Sequence, residues 1–184
     1  MCKLQQVLLL SVFCITWCTV WTQVPLPSEP EWPSTTDQDW LLDATPFKAG
    51  LFTAKTPGTI QLSNGLIRRS FRLQPNAATI GLDNLMNGEN LLRGVKPEAM
   101  ITINGKAYAV GGLKGQSNYA FLRPEDLAQL SLDTNALRFQ DYELGPIEAP
   151  FPWKRLRHHA KDAAWPPKGV HLKLDFKGPE CVVS

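Results

Sequence analysis

From about Trp40 onward, hydrophobic and polar positions alternate over short runs separated by turn-forming residues. The clearest run, Val170-His171-Leu172-Lys173-Leu174-Asp175-Phe176-Lys177, puts Val, Leu, Leu and Phe on one face and His, Lys, Asp and Lys on the other. A period of two over this length predicts a half-buried antiparallel strand. Asn-Gly occurs at Asn64-Gly65, Asn87-Gly88 and Asn104-Gly105. This dipeptide readily supplies positive φ at both centres of a type I′ hairpin turn. Around Asn104-Gly105 the rule pairs Ile103 with Lys106, Ile101 with Tyr108 and Ala99 with Val110, which stacks apolar pairs on one side. Around Asn64-Gly65 it sets Leu62 against Ile67 and Ile60 against Arg69. Leu137 to Leu144 also has strand character.

One helix interrupts this pattern. Arg123-Pro124-Glu125-Asp126-Leu127-Ala128-Gln129-Leu130 has proline at the first helical position, acids in the first turn and a short stripe of Leu127 and Leu130. It is expected on the surface, inserted between strands. Two proline-rich stretches break the periodicity. Gln23 to Pro33 carries Pro25, Pro27, Pro30 and Pro33 and predicts an extended spacer. Gly145 to Pro167 carries five prolines, together with Trp153, Trp165 and a basic cluster, and predicts a long structured loop. The pattern has no repeat and no heptads. It describes an all-β protein, an antiparallel β-sandwich (a partial supersandwich) with one short surface helix.

The N-terminus follows a different logic. Met1 to Gln6 holds one cation and no acid, and the apolar run Val7 to Val20 follows; the first acid of the chain is Glu29. A positive start before a short apolar core is what export machinery reads. The core of 14 residues is shorter than the roughly 20 that span a bilayer. The expected organisation is a signal helix at 1–22, a Pro-rich linker at 23–39, a β-sandwich domain at 40–177 and a tail at 178–184. The location this implies is secreted or periplasmic, with no stable membrane anchor. Cleavage after Thr22 would remove Cys2, Cys14 and Cys18, leave Cys181 alone, and so exclude an internal disulfide.

Charge narrows the partners. Without Lys3, 18 basic residues face 17 acidic ones. So even a balance offers no electrostatic footprint for nucleic acid or for an anionic membrane. Candidate chemistry is sparse. His158-His159 lacks the third and fourth ligands a zinc site needs, so no metal and no cofactor are expected. No Gly-x-Ser-x-Gly is present. Gly111-Gly112-Leu113-Lys114-Gly115 lacks the Gly-Lys-Ser/Thr ending of a phosphate loop. No catalytic residue is assigned. The aromatic residues carry more: Trp40, Trp153 and Trp165 lie in proline-flanked loops, where a ring can stack on a sugar or bury against a neighbouring domain. With Lys154, Arg155, His158 and His159 they form the expected contact surface.

Ser63-Asn64-Gly65-Leu66-Ile67-Arg68-Arg69-Ser70-Phe71-Arg72-Leu73, then Ala78-Thr79-Ile80-Gly81-Leu82-Asp83-Asn84-Leu85, Leu92-Arg93-Gly94-Val95-Lys96-Pro97-Glu98-Ala99 and the Trp153 to Pro167 loop together resemble one family. They are similar to the N-terminal β-sandwich of secreted bacterial α-galactosidase-like proteins, related to the family 36 glycoside hydrolases. The resemblance runs from about Asp39 to Phe176. It implies a sandwich that precedes a catalytic (β/α)₈ barrel carrying the nucleophile and the acid/base. The expected function is therefore a non-catalytic front domain, a fragment of a longer enzyme, whose partner is the barrel or its carbohydrate. The alternatives are a stand-alone carbohydrate-binding module and a structural interaction domain without a sugar role.

Overall fold

The structure, a computed structural model, describes residues 25–34, 37, 39–154, 164–178 and 182–183. The expected signal segment at 1–22 lies outside them. In chain order the strands are β1 (Gly50–Thr53), β2 (Thr59–Ser63), β3 (Ile67–Arg72), β4 (Ala78–Asn84), β5 (Glu89–Asn90), β6 (Ala99–Ile103), β7 (Lys106–Val110) and β8 (Leu113–Lys114). The helix α1 (Pro124–Gln129) comes next, then β9 (Ser131–Leu132), β10 (Arg138–Pro146), β11 (Val170–Lys177) and β12 (Val182–Val183). The protein is all-β and antiparallel. A five-stranded sheet runs β1-β2-β3-β4-β5, a three-stranded sheet runs β10-β11-β12, and β6-β7 and β8-β9 are hairpin-sized pairs.

The Asn104-Gly105 hairpin forms in the expected register, with Ala99 opposite Val110, Ile101 opposite Tyr108 and Ile103 opposite Lys106. Asn104 and Gly105 take φ of 51° and 80°, as a type I′ turn requires. The Asn64-Gly65 hairpin differs. Leu62 pairs with Arg69 and Ile60 with Phe71, a slide of two residues from the expected register. Asn64 does not adopt positive φ; its Oδ1 instead accepts the Leu66 and Ile67 backbone N–H groups, each at 3.0 Å. Four residues therefore lie between the last pair, Ser63 and Arg68, and Leu66 among them is buried. A slide of two keeps every side chain on its own face, whereas a slide of one would invert the strand. The gain is an apolar Ile60–Phe71 pair where the shorter turn would have set Ile60 against an arginine. The Asn87-Gly88 turn likewise spans four residues, between Asn84 and its partner Glu89.

Three clusters make the core. Leu51, Ile60 and Phe71 of the large sheet meet Tyr142, Leu172 and Leu174 of β10-β11, which is the sandwich contact. Ala77, Tyr108, Val110, Leu137 and Phe176 fill the space under the β6-β7 hairpin. Ala78, Val95, Leu113 and Leu130 form a third cluster, which takes Leu127 from α1. Both leucines of the predicted helix stripe thus point inward.

Two buried amides tie these layers. Asn76, 1% exposed, donates to Leu137 O at 2.9 Å and accepts from Phe139 N at 2.7 Å, fastening β10 to the turn before β4. Gln116 accepts from Val95 N at 2.9 Å and donates to the carbonyls of Arg93, Asn118 and Phe121. Each satisfies buried backbone groups that would otherwise cost free energy.

Leu137 is fully buried. Leu137→Ala is expected to lower unfolding free energy by about 3 kcal/mol in urea titration. Leu42→Ala, at a side chain 87% exposed, should change it by less than about 0.5 kcal/mol. Equal effects at both positions would contradict this assignment of the core.

Candidate functional site

The expected contact surface divides in the structure. Trp153 and Trp165 come together with Phe151, although the two tryptophans are twelve positions apart in sequence. Ring centroids lie 5.7 Å apart for Trp153–Trp165 and 5.2 Å for Phe151–Trp165, with interplanar angles of 51° and 39°. Trp165 Nε1 donates to Phe151 O at 3.2 Å, which ties the two ends of the described loop together. All three side chains are among the exposed large hydrophobic ones, and Lys154 beside them is exposed. The cluster sits where the β10-β11 hairpin opens into its long loop. Trp40 does not join it. It lies in the turn Trp40–Leu42, partly buried, next to the exposed Leu41 and Leu42. Arg155, His158 and His159 lie outside the described residues.

A second feature has no counterpart in the sequence reading. The large sheet turns Ile60 and Phe71 to the core, so the alternate positions Thr59, Gln61, Ser63 and Ser70 face the other way. That polar face floors a cleft of about 1090 Å³. One wall is the proline-rich segment, which is docked on the sheet rather than held apart from it. Pro27 O accepts from Thr53 N at 2.9 Å, Ser28 bridges Thr53 in parallel, and Leu26 packs on the sandwich core. Trp32 stands edge-on to Phe52, with centroids 6.1 Å apart at 82°. It also covers Gly65, where an added Cβ would lie 2.5 Å from the indole and φ is +83°. Only glycine fits there. Leu127 of α1 lines the cleft, as do residues of the β4-β5 turn.

Along the cleft, side chains form a continuous hydrogen-bonded chain. Trp32 Nε1 donates to Glu29 Oε1 at 3.0 Å, and Arg68 Nη1 donates to Glu29 Oε2 at 3.1 Å. Arg68 Nε donates to Asp83 Oδ2 at 3.2 Å, and Asn90 Nδ2 donates to Asp83 Oδ1 at 2.9 Å. Burial pushes the Glu29 carboxyl up, but hydrogen bonds from Ser63, Trp32 and Arg68 outweigh it and hold the group below its ordinary value. Burial likewise pulls Arg68 down, and its bonds to Glu29 and Asp83 more than restore it. Glu29 therefore stays ionised at neutral pH. It can accept hydrogen bonds, but it is not poised as a general acid, which needs a raised pKa.

No family model matches this chain, and no curated protein or solved structure does either. The cleft was legible only in part. The alternation in Thr59-Ile60-Gln61-Leu62-Ser63 marks a polar face, but nothing local indicates that Glu29 and Trp32 fold back over it.

The Glu29 shift carries a pH signature. A carboxyl whose folded pKa is depressed stabilises the fold above its unfolded value, here about 4.5, and loses that contribution as pH falls through the lower folded value. Glu29→Gln should therefore melt at a lower temperature than wild type at pH 7, and the gap should close as pH drops below 4.5. A gap that stays constant down to pH 2 would show that the ion pair does not fasten the segment.

Proposed function

We propose that the chain is a non-catalytic β-sandwich module of a secreted, α-galactosidase-like glycoside hydrolase, which packs on a catalytic barrel and shapes the approach of its carbohydrate. The observation that supports this most is the exposed Phe151–Trp153–Trp165 cluster on an all-β antiparallel body. Large exposed rings on a loop that bonds to itself are costly to leave in water and suit contact with a second surface. The sequence resemblance supplies the identity of that surface, because it assigns the nucleophile and the acid/base to a separate barrel. A second reading is a stand-alone carbohydrate-binding module, in which the same rings stack on sugars; the exposure of Trp153 and Trp165 favours it.

The full chain should release no nitrophenol from aryl α-galactosides above the buffer blank, and clear turnover would overturn the non-catalytic reading. An uncovered aromatic cluster should also drive self-association. In sedimentation velocity, the average mass should rise with concentration for the wild type and stay near 20.5 kDa for the Trp153→Ala/Trp165→Ala variant. Identical profiles would remove the cluster from its contact role. A tryptophan fluorescence shift on glycan addition, abolished by the same double substitution, would favour the second reading.

A further inference from the structure

We infer that the cleft on the polar face of the five-stranded sheet is a binding site for a neutral oligosaccharide, distinct from the aromatic cluster and independent of what that cluster contacts. Four observations carry this. The first is size: about 1090 Å³ is just above the roughly 300–1,000 Å³ that encloses a drug-sized ligand. That is room for a short sugar chain rather than a single ring.

The second is the lining. Polyhydroxylated ligands are recognised by planar side chains that between them donate and accept, set beside an aromatic ring. Asn90 and Gln61 do both, Glu29 and Asp83 accept, Arg68 donates, and Trp32 supplies the ring. A hydrophobic ligand would strand these polar groups without water, which is costly.

The third is charge. The cleft's ionisable lining is two acids, Glu29 and Asp83, against two bases, Arg68 and Lys55. Arg68 is bound to both carboxylates, at 3.1 Å and 3.2 Å. A phosphate, sulfate or uronate would find the Arg68 guanidinium already engaged and would meet two carboxylates against Lys55. A cationic ligand would meet Arg68 and Lys55, and carboxylates already paired with Arg68. A neutral ligand meets neither penalty, and its hydroxyls can donate to the carboxylate lone pairs left over from Arg68.

The fourth is order before binding. The Trp32–Glu29–Arg68–Asp83–Asn90 chain fixes these side chains in place, and Gln61 Nε2 donates to Ser70 Oγ at 3.4 Å. Groups fixed in advance lose little rotamer entropy when a ligand arrives. The network also leaves one group over. Thr59, 7% exposed on the cleft floor, has a buried hydroxyl with no hydrogen-bond partner among the described residues.

The experiment is calorimetric titration of the full chain with a panel of neutral oligosaccharides of four to six units (galacto-, gluco-, manno- and xylo-linked), with oligogalacturonide and inorganic phosphate as the charged arms. At least one neutral oligosaccharide should bind, and neither charged arm should bind as tightly. Asn90→Ala removes an exposed side chain at the end of the network and should weaken binding roughly tenfold with an unchanged melting temperature. Arg68→Ala should weaken it further, and circular dichroism shows whether that variant is folded. Trp153→Ala/Trp165→Ala should leave the affinity as it is. No binding by any neutral sugar, tighter binding of a charged arm, or an unaltered affinity in Asn90→Ala would overturn the inference. Loss of binding in the tryptophan double variant alone would move the sugar to the aromatic cluster and overturn it equally.

Discussion

The side chains of Leu51, Ile60 and Phe71 pack against Tyr142, Leu172 and Leu174, and through this contact the five-stranded sheet is held to the β10-β11 pair. The described residues contain no cysteine, so among them the two layers are held by burial. Each buried methylene contributes only about 0.8 kcal/mol, and the set has to face one way on every strand to add up. That requirement determines the other face. Once Ile60 and Phe71 point inward, Thr59, Gln61 and Ser70 must point outward, and a polar sheet surface exists whether or not anything uses it.

What turns that surface into a cleft is the docking of the segment ahead of the domain. Pro27 and Ser28 bond to β1, Leu26 reaches the core, and Glu29 and Trp32 reach over β3. The same docking pairs with Thr53 at the end of the edge strand β1, whose backbone groups there would otherwise be open to another chain. One segment thus protects that end of the edge and encloses the polar face. Proline suits it for both, since a residue without an N–H donor belongs at a sheet edge rather than inside the sheet.

The two surface features differ in how far each could be read from sequence. Trp153 and Trp165 stand out because tryptophan is uncommon in a loop rich in proline, and the structure brings the pair together with Phe151. Trp40, chosen on the same ground, turns out to lie apart from them, because local context says nothing about which loops meet. Asn104-Gly105 gave its register directly, since both residues adopt the φ the turn needs. Asn64-Gly65 carried the same local signal and misled it by two residues: the Asn64 side chain caps the loop, and the packing of Leu66, Phe71 and Trp32 outweighs a turn preference of small energy.

By itself the amino-acid sequence determined the all-β class, the α1 helix with both leucines inward, the β11 strand from Val170 to Lys177 and the β6-β7 register. All of these depend on period and on residues within a few positions of one another. Only the tertiary structure decided that Glu29 and Trp32 meet Arg68 and Gly65, that Asp83 and Asn90 complete the chain, and that a segment resembling a spacer is a wall. Glu29 and Trp32 meet residues more than thirty positions away, whereas Arg68–Asp83 and Asp83–Asn90 are 15 and 7 positions apart and depend on the pairing of β3, β4 and β5. They follow from which sheet face is left over after the core is buried, and no local pattern in the chain records that.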